Sequence, residues 1–218
     1  MAANDVLTRA QIDTELAALP DWTFGLGALR TALKCPTSAA ALDLFAAIGE
    51  LAQKANHHPD VDWRYDHLFV TLSSHDAGSK VTARDTALAG AISAAAAGTG
   101  AVVRPELLRT VEIAIDTDDP GAIAGTWRDA LGYKVAADGA LVDPFGRGPS
   151  IWFQETATPN VNRFHLDVTV PYSRSAGILA ALEATGASLA DFAAPRFVVA
   201  TDVQGNRLCI CTEEGRDA

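Results

Sequence analysis

Four of the chain's five histidines fall in one short stretch: His57 and His58 side by side before Pro59, then His67 and His75. An imidazole with an ordinary pKa of about 6.5 gives or takes a proton near neutrality. A group of them is therefore suited to general acid–base work, which contributes roughly 10²–10⁴-fold to a rate. Two other readings stand beside that one. Imidazoles are common metal ligands, although neighbouring histidines point in different directions on most backbones, so His57 and His58 seldom share one ion. Solvated or structural histidines are the third reading. Asp60, Trp63 and Tyr65 lie between the histidines and could wall a pocket, but the two aromatics fit a core equally well. Asp85 has a sufficient structural role as the fourth residue of a helix-starting capping box, Thr82-Ala83-Arg84-Asp85. His67, on a strand, reads as a surface or packing residue.

The elements that must position these residues follow from periodicity. Thr8 to Gln11 opens a helix with a capping box, and that helix ends before Pro20. Strand-like runs cover 22–26 and 28–35. A helix over 38–55 shows Leu44, Phe45, Ile48, Leu51, Ala52 and Ala55 on one apolar face. Proline disfavours helical geometry in the residue before it, so His57-His58-Pro59 ends that helix. Strands follow over 62–65 and 67–74, the second with Leu68, Val70 and Leu72 alternating with polar or aromatic neighbours. The box at Thr82 opens a last helix to about Ala97. The order α-β-β-α-β-β-α predicts an α+β fold, an antiparallel sheet with helices on one face.

Gly98, Gly100 and Pro105 then punctuate the chain. They predict two domains, 1–100 and 106–218, which suits a length of 218 residues. In the second half, strands are expected over 110–115, 133–136, 140–143, 151–154, 163–170, 197–201 and 207–212, with helices over 120–131 and 175–185. This reads as β-α-β-β-β twice over, with one strand of the second copy unassigned. Hydrophobic residues make up 49% and charged residues 20%, enough to give each half a core. The net charge of -10 and the lack of a basic cluster argue against nucleic acid and anionic membrane as partners. No run approaches the roughly 18 apolar residues of a spanning helix, and no secretory signal is expected at Met1 to Thr8. Three cysteines do not make a disulfide framework, so a cytoplasmic protein is expected.

The histidine stretch resembles the pterin-4a-carbinolamine dehydratase family over about residues 5–97. The likeness rests on Leu19-Pro20-Asp21-Trp22, His57-His58-Pro59, Tyr65, Ser74-His75 and Asp85. The resemblance implies dehydration of 4a-hydroxytetrahydrobiopterin to the quinonoid dihydropterin, in tetrahydrobiopterin recycling, with no cofactor. It implies His57 and His75 as acids and bases and His58 as the residue that positions the pterin. Asp60, Trp63, Tyr65 and Asp85 would bind or enclose the substrate, and a homo-oligomer is implied. Two departures stand out. Gln53 occupies a position that is usually acidic, and the 78–81 turn looks one residue longer than usual. Both favour an alternative reading as a non-catalytic, two-domain small-molecule-binding or interaction protein.

The second half resembles the glyoxalase-like, vicinal-oxygen-chelate superfamily over about 108–213, where paired β-α-β-β-β modules curl into a cup. The resemblance places candidate metal ligands at Glu112, Gln154 or Glu155, His165 and Cys209. Metal-using members have Glu where Cys209 stands, so loss of the metal is expected. A cup that holds an unidentified small ligand remains, with Trp152 in the wall or the core and Trp127 in the core.

Overall fold

A computed structural model describes residues 6–108, 112–155, 157, 165–169 and 172–212. The chain divides into two compact units, Met1–Arg109 and Thr110–Ala218. No helix among the described residues is long and apolar enough to cross a membrane.

The first unit runs α1 (Arg9–Leu16), β1 (Thr23–Gly25), β2 (Ala28–Lys34), α2 (Ser38–Ala55), β3 (Asp60–Arg64), β4 (His67–Leu72), α3 (Ala83–Ala97) and β5 (Val102–Val103). Its five strands form one antiparallel sheet in the order β1-β2-β4-β3, with β5 also paired to β2. Leu68, Val70 and Leu72 of β4 stand opposite Leu33, Thr31 and Leu29 of β2, so these side chains share one face. That face packs against Leu44 and Ile48 of α2 and Leu88 and Ile92 of α3, all buried. β5 was not expected from the sequence. Two residues carry no alternation, and it is their pairing with Leu33 and Lys34 that makes them a strand.

The ends of α2 and β3 set up the site. Thr37 caps α2 by accepting the Ala40 N–H at 3.0 Å. At the other end Asn56 takes the left-handed conformation (φ 47°), and His57 N–H closes onto Ala52 O at 3.1 Å. The chain is thereby turned back beneath the last helical turn. β3 and β4 form a hairpin with Arg64 opposite His67 at its turn and Asp60 opposite Thr71 at its far end.

The second unit repeats one topology. β6 (Glu112–Thr117), α4 (Pro120–Leu131), β7 (Lys134–Val135), β8 (Leu141–Val142) and β9 (Ser150–Glu155) make the first module. β10 (His165–Thr169), α5 (Tyr172–Ala184), β11 (Ser188–Ala193), β12 (Phe197–Thr201) and β13 (Arg207–Cys211) make the second. In each four-stranded sheet the module's first and last strands are parallel neighbours and the rest are antiparallel. β11 escaped sequence reading: Ser-Leu-Ala-Asp-Phe-Ala does not alternate, and its register shifts between Ala190 and Ala193. The expected strand over 163–170 is described only at His165–Thr169; residues 163–164 and 170 lie outside the described residues. Ile115, Ile123, Trp127 and Ile151 of the first module share a buried core with Leu182, Ala200, Leu208 and Ile210 of the second.

The repeat extends to one turn. Asp143 accepts the main-chain N–H groups of Phe145, Arg147 and Gly148, and Asp202 accepts those of Gln204 and Asn206. Each turn then passes through a glycine at positive φ, Gly146 or Gly205. Burial pushes the Asp143 carboxyl up, but the N–H donors of Phe145, Gly148 and Arg147 pull it further down, so it lies below the ordinary range. A depressed folded pKa stabilises above the unfolded value of about 3.9, and that stabilisation is lost as pH falls through the folded value. Asp143→Asn is therefore expected to flatten the acid limb of the second unit's stability below about pH 4. Urea midpoints measured against pH check this; an unchanged acid limb would refute it.

Candidate active site

Asp85 is the centre of the first unit's polar cluster. It is fully buried, and its carboxylate is met from three segments of chain. His57 Nε2 lies 2.7 Å from Oδ1. Ser74 Oγ donates to Oδ2 at 2.8 Å and Thr82 N–H at 2.7 Å, with Thr82 Oγ1 at 3.0 Å. Ser74 and Thr82 hydroxyls also lie 2.8 Å apart. An ionised carboxylate can only accept, so Nε2 carries the hydrogen in this pair. The capping box seen in sequence is present, and the same carboxylate also holds His57.

The two adjacent histidines part company for a backbone reason. The turn at Asn56 sends His57 inward to Asp85, where it is 7% exposed. Beyond that turn the chain is no longer helical, and His58 faces outward. His58 lines a cavity of about 310 Å³ with Gln53, Pro59 and Asp60. Its apolar wall comes from Phe45, Ile48 and Ala52 of α2 and from Val61 of β3. An imidazole, a carboxylate and an amide beside an apolar wall suit a polar heterocycle.

His75 opens a 3-10 turn, His75–Ala77, just after β4. It is exposed and does not stand in the wall of that cavity. Its turn is fixed on both sides. Ser74, directly before it, is bonded to Asp85 and pairs with Lys80. Asp76, directly after it, receives a two-pronged bond from Arg84 of α3, at 2.6 and 3.1 Å. That bond holds the Asp76 carboxyl below its ordinary range.

His57, His58, Asp60, Ser74-His75 and Asp85 thus belong to one end of the unit, where α2 ends, β3 begins, β4 ends and α3 begins. Trp63 and Tyr65 do not. They lie toward the opposite end of the β3–β4 hairpin, three and five residues from Asp60 at roughly 3.3 Å each. Trp63 Nε1 donates to Tyr65 O at 2.6 Å, and Tyr65 is 77% exposed with φ 56°. His67 is bonded to Asp66 at 2.5 Å and stacks on Phe69, a packing role. Sequence reasoning missed Ser74 as a ligand of Asp85, and nothing local signals it.

In the second unit, Glu112 starts β6, is exposed and accepts Ser150 Oγ–H at 2.8 Å. Gln154 and Glu155 are exposed on β9, and Cys209 is half-buried on β13. The His165 side chain lies outside the described residues. Among the described residues no group of three His, Cys, Asp or Glu side chains is placed to hold a metal. Trp127 is buried, with Nε1 donating to Asp202 at 3.2 Å, and Trp152 is 39% exposed.

In comparison with known proteins, a family model matches each half. The model for pterin 4 alpha carbinolamine dehydratase matches residues 5–95. The model for a glyoxalase-like domain matches residues 112–211. A Mycolicibacterium smegmatis protein, assigned by name to pterin-4-alpha-carbinolamine dehydratase, is 37% identical over 84 residues, which are 38% of this chain and 88% of the relative. A similarly named Nocardia farcinica protein is 38% identical over 86 residues, 39% of this chain and 90% of the relative. The crystal structure of a transcriptional coactivator/pterin dehydratase from Brucella melitensis is similar at 29% identity, covering 42% of this chain and 98% of that one, with a TM-score of 0.40. The fosfomycin resistance protein FosX of Listeria monocytogenes is similar at 8% identity, covering 51% of this chain and 96% of that one, with a TM-score of 0.41.

Removing the central carboxylate leaves His57, Ser74 and Thr82 without their shared acceptor. A hydrogen bond to a charged group contributes about 1.5–3 kcal/mol, and a buried donor left unsatisfied costs about 1–3 kcal/mol. Asp85→Ala is expected to destabilise the first unit by that order, read from urea unfolding followed by the fluorescence of buried Trp22. A loss below about 1 kcal/mol, the worth of one ordinary hydrogen bond, would show that Asp85 does not tie the segments together.

Proposed function

The chain belongs to the pterin-4a-carbinolamine dehydratase family through its N-terminal domain, and from that premise we propose that this domain dehydrates a 4a-hydroxytetrahydropterin to the quinonoid dihydropterin. The observation that carries the reading is the cavity at the end of α2, with His58 and Asp60 in its wall and the His75 turn tethered through Ser74 to the same end of the domain. In the reaction the C4a–O bond breaks, and the oxygen leaves as water once a proton has been supplied to it. A proton leaves the ring nitrogen, and the C=N bond forms between that nitrogen and C4a. One acid and one base are needed, and no redox partner.

His58, in the cavity wall, and His75, on the turn after β4, are the exposed imidazoles at this end and would serve as the acid and base. His57, for which the family resemblance implies acid–base work, is better suited here to positioning, and His58 takes the proton-transfer role in its place. The His57 Nε2 is committed to Asp85, and its place directly before His58 fixes where that ring emerges. Asp60, at the start of β3, would accept hydrogen bonds from amino or ring N–H groups of the pterin.

One observation favours the alternative, a domain that binds without catalysis: Gln53, a neutral amide, stands in the cavity wall. A carboxylate there would favour the protonated form of an imidazole close by, and an amide does not. The decisive experiment follows freshly generated 4a-hydroxytetrahydropterin by absorbance, with and without protein. Acceleration supports the dehydratase; none, with folded protein, supports the binding module. His58→Ala and His75→Ala are each expected to slow dehydration by at least about tenfold while leaving the fold intact, since both side chains are exposed. A wild-type rate in either variant would remove that histidine from the mechanism.

A further inference from the structure

The second unit contains a cavity of about 620 Å³, within the range that holds small organic ligands. It does not open on the strand face that carries Glu112. Ile113 and Ile151, cross-strand partners on β6 and β9, form part of its wall, and they point to the helix-covered side with Ile115 and Trp127. Glu112 precedes Ile113 and so faces the other way. Leu166 and Val168 of β10 extend the apolar wall.

The rim is polar, and its valences can be followed one by one. The Asp143 carboxylate takes three main-chain N–H groups from its own turn. The Tyr133 hydroxyl donates to Pro149 O at 3.0 Å. Burial and the nearby Asp143 charge raise its pKa, so it stays neutral. Arg147 is the one cation in the wall among the described residues, and it is exposed. The repeat shows that the turn does not need its side chain. At the matching place in the second module, Asn206 folds its amide back to Asp202 at 2.9 Å. The hydrogen bond that Arg147 gives the turn comes from its main-chain N–H, at 3.0 Å, and its charge also helps to lower the Asp143 carboxyl.

We propose that this cavity binds a small carboxylate-headed amphiphile, with its apolar body between Ile113, Ile151, Leu166 and Val168 and its carboxylate on Arg147. A guanidinium offers a carboxylate two parallel donors, and the apolar wall removes the ligand's hydrocarbon from water. An amine head would meet the Arg147 charge and an Asp143 whose oxygens are largely engaged. This inference is independent of the dehydratase reading and concerns the other domain.

The test uses the full-length chain, isothermal titration calorimetry, and three probes of equal chain length: decanoate, decylamine and decan-1-ol. Decanoate is expected to bind more tightly than either of the others, and Arg147→Gln to weaken it by about tenfold or more. Arg147 is exposed, so that variant is expected to fold as wild type does. Ile113→Trp, which fills the cavity, is expected to abolish binding. Carbon-13 methyl resonances of Ile113 and Ile151 are expected to shift on addition of decanoate. Failure of decanoate to bind, equal binding of decan-1-ol, full affinity in Arg147→Gln, or binding without the isoleucine shifts would each overturn the proposal.

Discussion

A buried carboxylate is the constraint on which the N-terminal domain's site depends. Taking a charge out of water costs several kcal/mol after relaxation, and only hydrogen bonds of good geometry offset it. Asp85 is fully buried, so His57, Ser74 and Thr82 must all stay within bonding distance of it. Those three residues come from the end of α2, the end of β4 and the cap of α3. One unpaired charge that cannot be tolerated thus holds together three chain segments otherwise joined through the apolar core. The apolar core of Leu44, Ile48, Leu68, Leu88 and Ile92 brings the helices onto the sheet without fixing which polar group meets which. Non-directional burial supplies the compactness, and the carboxylate supplies the register.

The same constraint sorts the histidines. Two adjacent imidazoles have equal chemistry in sequence. The left-handed turn at Asn56 and the pull of Asp85 give them unequal surroundings, one held inside and one presented to a cavity. His75 is treated differently again. It sits on a short turn held before it by Ser74 and after it by the Asp76–Arg84 pair. Asp76 and Arg84 are partly exposed, and a solvent-exposed pair adds little to stability. Its geometric effect on a turn of three residues is the larger one.

What could be read from sequence follows the range of the interactions. The α-β-β-α-β-β-α order, the Thr82–Asp85 box and the end of α2 before Pro59 depend on residues within one or two turns of each other, and local patterns reveal them. The meeting of Asp85 with His57 and Ser74 spans 28 and 11 residues, and no local pattern carries it. Trp63 and Tyr65 show the opposite failure. They are close to Asp60 in sequence, but an extended strand carries them to the far end of the hairpin. β5 and β11 became strands through their partners, because two residues, or six without alternation, have no period to detect.

The C-terminal domain shows how a repeat can diverge at one residue and gain a feature. Both modules build the same aspartate-centred turn, and both pass through a glycine at positive φ. In the second module the turn is closed: Asn206 returns its amide to Asp202, and Trp127, from the first module's helix, donates to the same carboxylate. The turn thereby becomes part of the seam between modules, and Gln204 Nε2 adds a bond to Asp118 of the first module at 2.6 Å. In the first module the residue equivalent to Asn206 is Arg147, whose hydrogen bond to Asp143 comes from the main-chain N–H and whose side chain acts on that carboxylate through its charge. Asp143 is satisfied by main-chain donors instead, one of them from Gly148. The long cation is therefore left at the mouth of an apolar cavity bounded by Ile113, Ile151, Leu166 and Val168. A structural asparagine in one copy and an exposed arginine in the other are enough to make one turn a brace and its twin a rim.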